Sequence, residues 1–282
     1  MRMLIFGGNG MAGHMMVDFF TRQKGIEVFY TTRNTQDKKG LLIDTADSLL
    51  LEKTLELIRP DIIINAIGVL NHFADQDIVN AYHINGLLPH KLRFFADRIG
   101  ARLIHISTDC VFEGTRGGYK ESDKPDGTST YALTKMLGEV NDPRHLTIRT
   151  SIIGPEIRSG GIGLLSWFMS QKGTVTGYRR VLWNGVTTLE LAKAINVIMR
   201  SPLSGIVHLA SPRALNKYEL LLLLKDVWGL ESIDVVPRDR PVHDRTLLST
   251  RLDMDYKVPD YLLMLKELEL WMNETQSRVK SS

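Results

Sequence analysis

A chain of 282 residues, 43% hydrophobic and 24% charged, has ordinary globular composition and room for one large core or two unequal lobes. Its net charge of +3 is small, with Lys and Arg interleaved among Asp and Glu, which excludes the basic stripe of a nucleic-acid binder. Apolar runs such as Leu220–Leu224 fall far short of the roughly 20 residues of a membrane span, and Met1–Gly8 reads as a strand rather than a signal peptide, so a cytoplasmic protein without membrane or nucleic-acid partners is expected.

In chain order, the runs MLIFGG, EVFYTT, DIIINAIG, RLIHIST and LTIRTSII are strand-like, and stretches of helical pattern separate them. Apolar runs with little alternation suit parallel strands covered on both faces, which predicts an α/β fold built on a doubly wound parallel (Rossmann) sheet over residues 1–154. Past Gly154 the chain turns to a glycine-rich stretch, Arg158–Gly163, then to Trp167, Phe168, Tyr178 and Trp183. A smaller C-terminal α/β substrate lobe is expected over residues 155–282, with residues 185–211, including the strand-like Gly205–Ser211, rejoining the sheet. Asn216 and Glu219 have capping-box spacing before the run to Trp228, and Asp260 is placed to cap a last helix through about Asn273.

The turn Gly7-Gly-Asn9-Gly10-Met11-Ala12-Gly13 follows the first strand and opens a helix. Glycines there let the backbone turn tightly and approach a pyrophosphate, whose charge meets the free N–H groups and positive dipole of the helix start. At the end of the second strand a protein that binds NAD offers an acidic side chain to the ribose 2′-hydroxyl. This chain instead reads Tyr30-Thr-Thr-Arg33, and a guanidinium suits a 2′-phosphate, so NADPH is the expected cofactor, with NADH as the alternative and an exposed loop arginine as the bland reading of Arg33. Asp44 with Thr45, and Ala66, Ile67 and Gly68 after Asn65, lie at the carboxyl ends of strands, where such sheets bind ligands; turn formation is the structural alternative for Asp44 and Asn65.

Tyr131 and Lys135 have i, i+4 spacing in a helical pattern, which places phenol and ammonium on one face. A nearby cation favours phenolate and moves the phenol from about 10 toward the working range. Thr108, on the rim beyond the RLIHIST strand, is positioned to hold a carbonyl while Tyr131 protonates it. One cysteine, Cys110, excludes an internal disulfide, and no Cys/His cluster has metal-ligand spacing, so no metal is expected. His14, His72, His83 and His105 read as structural or surface residues.

Taken together, the Gly7–Gly13 turn, Asn65-Ala66, Ser107-Thr-Asp-Cys-Val-Phe-Glu-Gly114, Tyr131–Lys135 with Gly138-Glu139, and Arg149-Thr-Ser151 resemble the extended short-chain dehydrogenase/reductases, specifically the dTDP-4-dehydrorhamnose reductase branch. The resemblance implies a catalytic set of Thr108, Tyr131 and Lys135, a cofactor lined by Asn9 to Ala12, Asp44 and Ala66 to Gly68, and reduction of a nucleoside-diphosphate 4-keto-6-deoxy sugar for cell-surface polysaccharide, with a homodimer left open. Sister dehydratases follow the threonine with Asp-Glu, whereas this chain has Asp109-Cys110, so a dehydrating base is missing and Asp109 is assigned to the substrate loop. GDP-fucose synthase, which epimerises before reducing, has a cysteine where Cys110 aligns, plus a histidine from the substrate lobe; here no histidine occurs between His145 and His208, and a buried small cysteine is the structural alternative. A combined epimerase/reductase and a non-catalytic regulatory subunit of the same branch stand as alternatives. Ile152 replaces the branch's sugar-contacting tryptophan, so Trp183 and Asn184 are the replacements considered for the sugar, and Arg213, Arg245 and Arg251 for the diphosphate.

Overall fold

The computed structural model describes residues 1–157 and 161–281, so positions 158–160 of the glycine-rich stretch lie outside the described residues. The first half runs β1 (Arg2–Phe6), α1 (Met11–Thr21), β2 (Glu27–Thr32), β3 (Leu41–Leu42), α2 (Ser48–Ile58) and β4 (Ile62–Asn65). It continues through α3 (Asn71–Gln76), α4 (Ile78–Ala81), a π-helical turn (Tyr82–Leu87), α5 (Leu88–Ile99), β5 (Arg102–Ile106), α6 (Thr130–Leu137) and β6 (Leu146–Arg149). The second half contains β7 (Ile152–Ile153), α7 (Leu164–Met169), β8 (Gly173–Tyr178), β9 (Val181–Trp183), β10 (Val186–Thr187), α8 (Thr188–Ile198) and β11 (Gly205–His208). Last come β12 (Leu215–Asn216), α9 (Lys217–Trp228), β13 (Ile233–Arg238), β14 (His243–Asp244) and α10 (Tyr261–Ser281).

Seven strands form one parallel sheet in the order β11-β6-β5-β4-β1-β2-β3. The apolar runs explain it. In β1, Met3 and Ile5 point to one face and Leu4 and Phe6 to the other, and all are fully buried. Met16 and Phe20 of α1, Ile195 of α8 and Leu265 of α10 cover the first face. Leu51 and Leu55 of α2 and Leu92 of α5 cover the second. Each such side chain contributes about 1.5–3 kcal/mol by leaving water. The strand expected late in the chain is β11, which pairs with β6. The expected capping box is present at Asn216 and Glu219, and Asp260 accepts from the Leu263 amide at 3.0 Å, although α10 continues past Asn273 to Ser281.

The strand order reverses at β1, which lies between β4 and β2. Crevices open at the carboxyl ends of strands at such a switch point. Here the edge consists of the glycine turn after β1, residues 66–68 after β4, and Ser107 and Thr108 after β5. Beside it, the later chain adds the β8–β13 pair and the small β12-β9-β14 sheet, packed by α7 and α9.

Candidate active site

The turn after β1 is a close-packed cradle. Gly7 has φ of 85°, a left-handed conformation that favours glycine, and a Cβ there would come within 2.8 Å of Ile67 Cγ1. A Cβ on Gly13 would overlap Gly7 O and lie 2.8 Å from its carbonyl carbon. The Gly7 and Gly8 amides donate to Thr31 Oγ1 and Thr31 O, both at 3.0 Å, which ties the turn to β2. Gly10 precedes α1 with no side-chain cap, so the first-turn N–H groups remain available to an anion. Asn65 Nδ2 at the end of β4 is buried and has no acceptor among the described residues. A bare helix start, a cradle closed to side chains and an orphaned donor fit a dinucleotide.

At the β2 end, Arg33 is exposed and has no ion pair among the described residues. Asp37, four positions further on and without a signal in the sequence, folds back onto Tyr30 and Asn9. Its carboxylate accepts from Tyr30 Oη at 2.9 Å, Asn9 Nδ2 at 3.2 Å and the Gly40 amide at 3.1 Å. Burial alone would raise this carboxyl, but those bonds hold it below its usual range. Asn9 also donates to Thr32 Oγ1 at 2.8 Å, so its amide braces the turn. Asp44 is exposed and accepts from the Ala46 amide at 2.9 Å, next to buried Thr45.

Thr108, Tyr131 and Lys135 converge beside this cradle. Thr108 caps the short turn Asp109–Val111 by accepting from the Cys110 amide at 3.1 Å, its hydroxyl donates to Asp109 Oδ1 at 3.1 Å, and it lies close enough to the Tyr131 phenol to influence it. Ser129 caps α6 by accepting from the Ala132 amide at 3.2 Å, and Tyr131 and Lys135 follow one turn apart, both buried. Lys135 Nζ donates to Ile106 O at 2.7 Å and faces His105 Nε2 at 3.5 Å. Burial pulls its ammonium down to about 8, with Glu139 opposing. The expected lowering of the phenol is not found: burial, Cys110 and Asp109 raise Tyr131. The lysine ammonium donates to the Ile106 carbonyl of β5 instead.

Three further groups brace this corner. Asn85, inside the π-helical turn, joins Val69 to Thr134 of α6 through bonds of 2.8, 2.9 and 3.1 Å. Glu139 and Arg149 form a buried bidentate pair, both bonds 2.7 Å, to which Ser107 Oγ donates at 2.8 Å. His105, read as structural from sequence, is buried and held neutral by desolvation and by Lys135. A signal was present for it: His105 lies two residues before Ser107 on the strand that leads into the catalytic turn.

From the later chain, Arg245 donates to Phe112 O at 2.8 Å and to Cys110 Sγ at 3.4 Å, which sets it beside the turn that follows Thr108. Burial and Asp109 push the Cys110 thiol up to about 12. Burial likewise raises Asp109, against the pull of Arg245 and Lys217. Trp183 is buried, with Nε1 donating to Ser151 Oγ at 2.9 Å, and Ile152 is half-buried beside Val186 in the β7–β10 pair. Asn184 spends its amide on Ser211 O and on the Leu247 backbone. Arg213 is exposed beside a different hollow lined by Leu215, Val258 and Tyr261, and Arg251 binds Asp253, Ser204 O and Ile206 O. A cavity of about 350 Å³ lies among Leu164, Trp167, Tyr178, Val181, Lys217, Leu221 and His243. Among the described residues no group of His, Cys, Asp and Glu could hold a metal, and no helix is long and apolar enough to cross a membrane.

Comparison with known proteins adds three findings. A family model described as RmlD substrate binding domain matches residues 1–243. The spore coat polysaccharide biosynthesis protein SpsK of Bacillus subtilis is 26% identical over 240 residues, covering 82% of this chain and 81% of that protein. Among solved structures, a hypothetical dTDP-4-dehydrorhamnose reductase from Sulfolobus tokodaii superposes with a TM-score of 0.78 at 27% identity over 92% of this chain and 98% of that one. The Bacillus anthracis dTDP-4-dehydrorhamnose reductase, solved in complex with NADP, superposes at 0.82 over 96% of this chain and 99% of that one, and at 19% identity shares the fold.

Proposed function

The chain belongs to the RmlD substrate-binding-domain family, and on that premise we propose that it is an NADPH-dependent reductase of a nucleoside-diphosphate 4-keto-6-deoxy sugar in cell-surface polysaccharide synthesis. The observation that carries this reading is the convergence of Thr108, Tyr131 and Lys135 beside the glycine cradle. Gly7, Gly10, Met11, Ala12 and Gly13 would hold the pyrophosphate, Asn9 and residues 66–68 the adenosine side, and Arg33 a 2′-phosphate. When bound, the reduced dinucleotide supplies the hydride that adds to C4 of the sugar.

The chain's own residues supply the proton and hold the ketone. The Thr108 hydroxyl and the Tyr131 phenol lie near each other, so a carbonyl oxygen bound between them would accept from both. As C4 becomes tetrahedral, the phenol O–H bond breaks and its proton goes to that oxygen, giving the alcohol. Burial keeps the phenol protonated until then, and the Lys135 ammonium, one turn along α6 and held by Ile106 O, is the cation that would offset the charge once it forms on the phenolate.

A combined epimerase/reductase would need Cys110 as a base at neutral pH, and a thiol pushed up to about 12 is protonated there. A regulatory subunit would have no use for the buried tyrosine and lysine. The test is NADPH oxidation with a panel of 4-keto sugar nucleotides. Tyr131→Phe should lose about 10²–10⁴-fold in kcat while retaining NADPH affinity. NADPH binding without turnover on every sugar would overturn the reductase reading.

A further inference from the structure

Among the described residues His105, His145 and His208 are the fully buried histidines. In two of them both ring nitrogens are occupied. His145 accepts from the Leu103 amide through Nδ1 at 3.0 Å and holds Asp97 through Nε2 at 3.0 Å. His208 meets Leu248 O at 3.2 Å and Arg149 at 3.4 Å. Such rings join one segment of the fold to another. His105 is different: its Nε2 stands 3.5 Å from Lys135 Nζ, and its Nδ1 is buried with no partner among the described residues.

A lysine ammonium has hydrogens to give and no lone pair to accept with, so the Nε2 that faces it must be bare and the ring hydrogen must lie on Nδ1. That puts the hydrogen on the one nitrogen without an acceptor, which is destabilising for the fold by itself. The strand leaves the ring little choice of place, since His105 lies in register between Asn65 of β4 and Thr147 of β6. Burial and the ammonium both oppose a charge on the ring, so Nε2 stays bare at neutral pH. The other titratable groups around the pair are Glu139, which acts on the ammonium, His90, which acts on the ring, and Cys110 and Asp109 beside Tyr131. Glu139 is itself committed to Arg149 and Ser107.

We propose that His105 is a positioning residue: its bare Nε2 and the Ile106 carbonyl take two of the hydrogens of the Lys135 ammonium and so fix its orientation next to Tyr131. One bond to Ile106 O, at 2.7 Å, would leave the ammonium able to swing about it; a second acceptor removes that freedom. A contact of 3.5 Å is long, as hydrogen bonds among catalytic groups often are before a ligand tightens them. The role in turnover rests on the reductase reading, whereas the contact itself does not.

Two measurements on the full chain test it. In the ligand-free protein, nitrogen NMR of the histidines should show His105 protonated on Nδ1 and bare on Nε2, and Lys135→Met should move the Nε2 resonance. A ring protonated on Nε2 would overturn the proposal without any variant of His105. The second measurement is the titration of Lys135, followed through its Cε resonance, beside the pH profile of kcat. An accepted hydrogen bond favours the ammonium over the amine, so its loss lowers the pH at which Lys135 deprotonates. His105→Phe keeps a ring and removes the acceptor: the Lys135 midpoint, and with it the alkaline fall in kcat, should move down by about one pH unit, with kcat about tenfold lower and the sugar KM within about twofold. His105→Gln restores an acceptor and should recover most of both. A merely structural histidine would lower Tm in both variants and leave the Lys135 midpoint where it was, and that result would overturn the proposal. The expected ring and a shifted Lys135 midpoint without NADPH oxidation on any ketone would leave the pair standing while the reductase reading fell.

Discussion

The glycines of the turn are alike in the sequence motif but not in the structure, and Gly13→Ala against Gly10→Ala tests the difference. At Gly13 the new methyl would overlap the Gly7 carbonyl oxygen and sit 2.8 Å from its carbon and 3.1 Å from Gly8 Cα, all backbone. Gly7 cannot retreat freely, because Ile67 stands behind it and Thr31 holds the amides of Gly7 and Gly8 at 3.0 Å. Overpacking of this kind costs about 1–3 kcal/mol, each lost hydrogen bond adds about 1 kcal/mol, and the better helix propensity of Ala returns up to ~1 kcal/mol. A net destabilisation of about 2 kcal/mol follows, or a fall of about 5 °C in Tm for a chain of this size. At Gly10, φ is −78° and the methyl would meet only Gly7 O at 3.3 Å, so the ligand-free protein should keep its Tm within about 1 °C. Gly10→Ala should nevertheless weaken NADPH, since the new methyl stands where the pyrophosphate must approach the helix start. Thermal melts of the ligand-free variants and NADPH titrations followed by fluorescence separate the two. Equal Tm losses at both positions, or an unchanged Tm for Gly13→Ala, would refute the reasoning.

Two further outcomes follow from the buried charges. Burial pulls the Lys135 ammonium down to about 8, so its charge is present below that pH and lost above it; kcat should be level near pH 6.5 and fall as pH rises through about 8, and Lys135→Arg should remove or displace that limb. Glu139→Gln strips the partner from an arginine that is 2% exposed, which should cost about 3–5 kcal/mol in urea unfolding; a loss below ~1 kcal/mol would show that the pair does not brace the catalytic turn.

Local features were legible in the sequence because local rules fix them. The apolar strand runs, the glycine turn between β1 and α1, and the Tyr131/Lys135 spacing each depend on residues within a few positions of one another, and the capping box at Asn216 does too. Asn85 was illegible for the opposite reason. Its bonds to Val69 and Thr134 span 16 and 49 positions, and nothing in its own neighbourhood announces a π-helical turn. Asp37 was similarly hidden, since a polar loop residue gives no sign that it will turn back onto Asn9 and Tyr30. The state of the Tyr131 phenol is not legible from its spacing to Lys135, because burial, Cys110 and Asp109 raise it while the ammonium donates to Ile106 of β5.

The cations of the substrate side carry the same lesson further. Charge and position in the chain single out Arg213, Arg245 and Arg251, but a cation points to a ligand only after its protein acceptors are counted. Arg251 is consumed by Asp253 and two backbone carbonyls, and Arg245 by Phe112 and Cys110. No histidine lies between His145 and His208 to face Cys110. The side chain that the fold brings to Cys110 is Arg245, 135 positions away, whose guanidinium lies 3.4 Å from the sulfur.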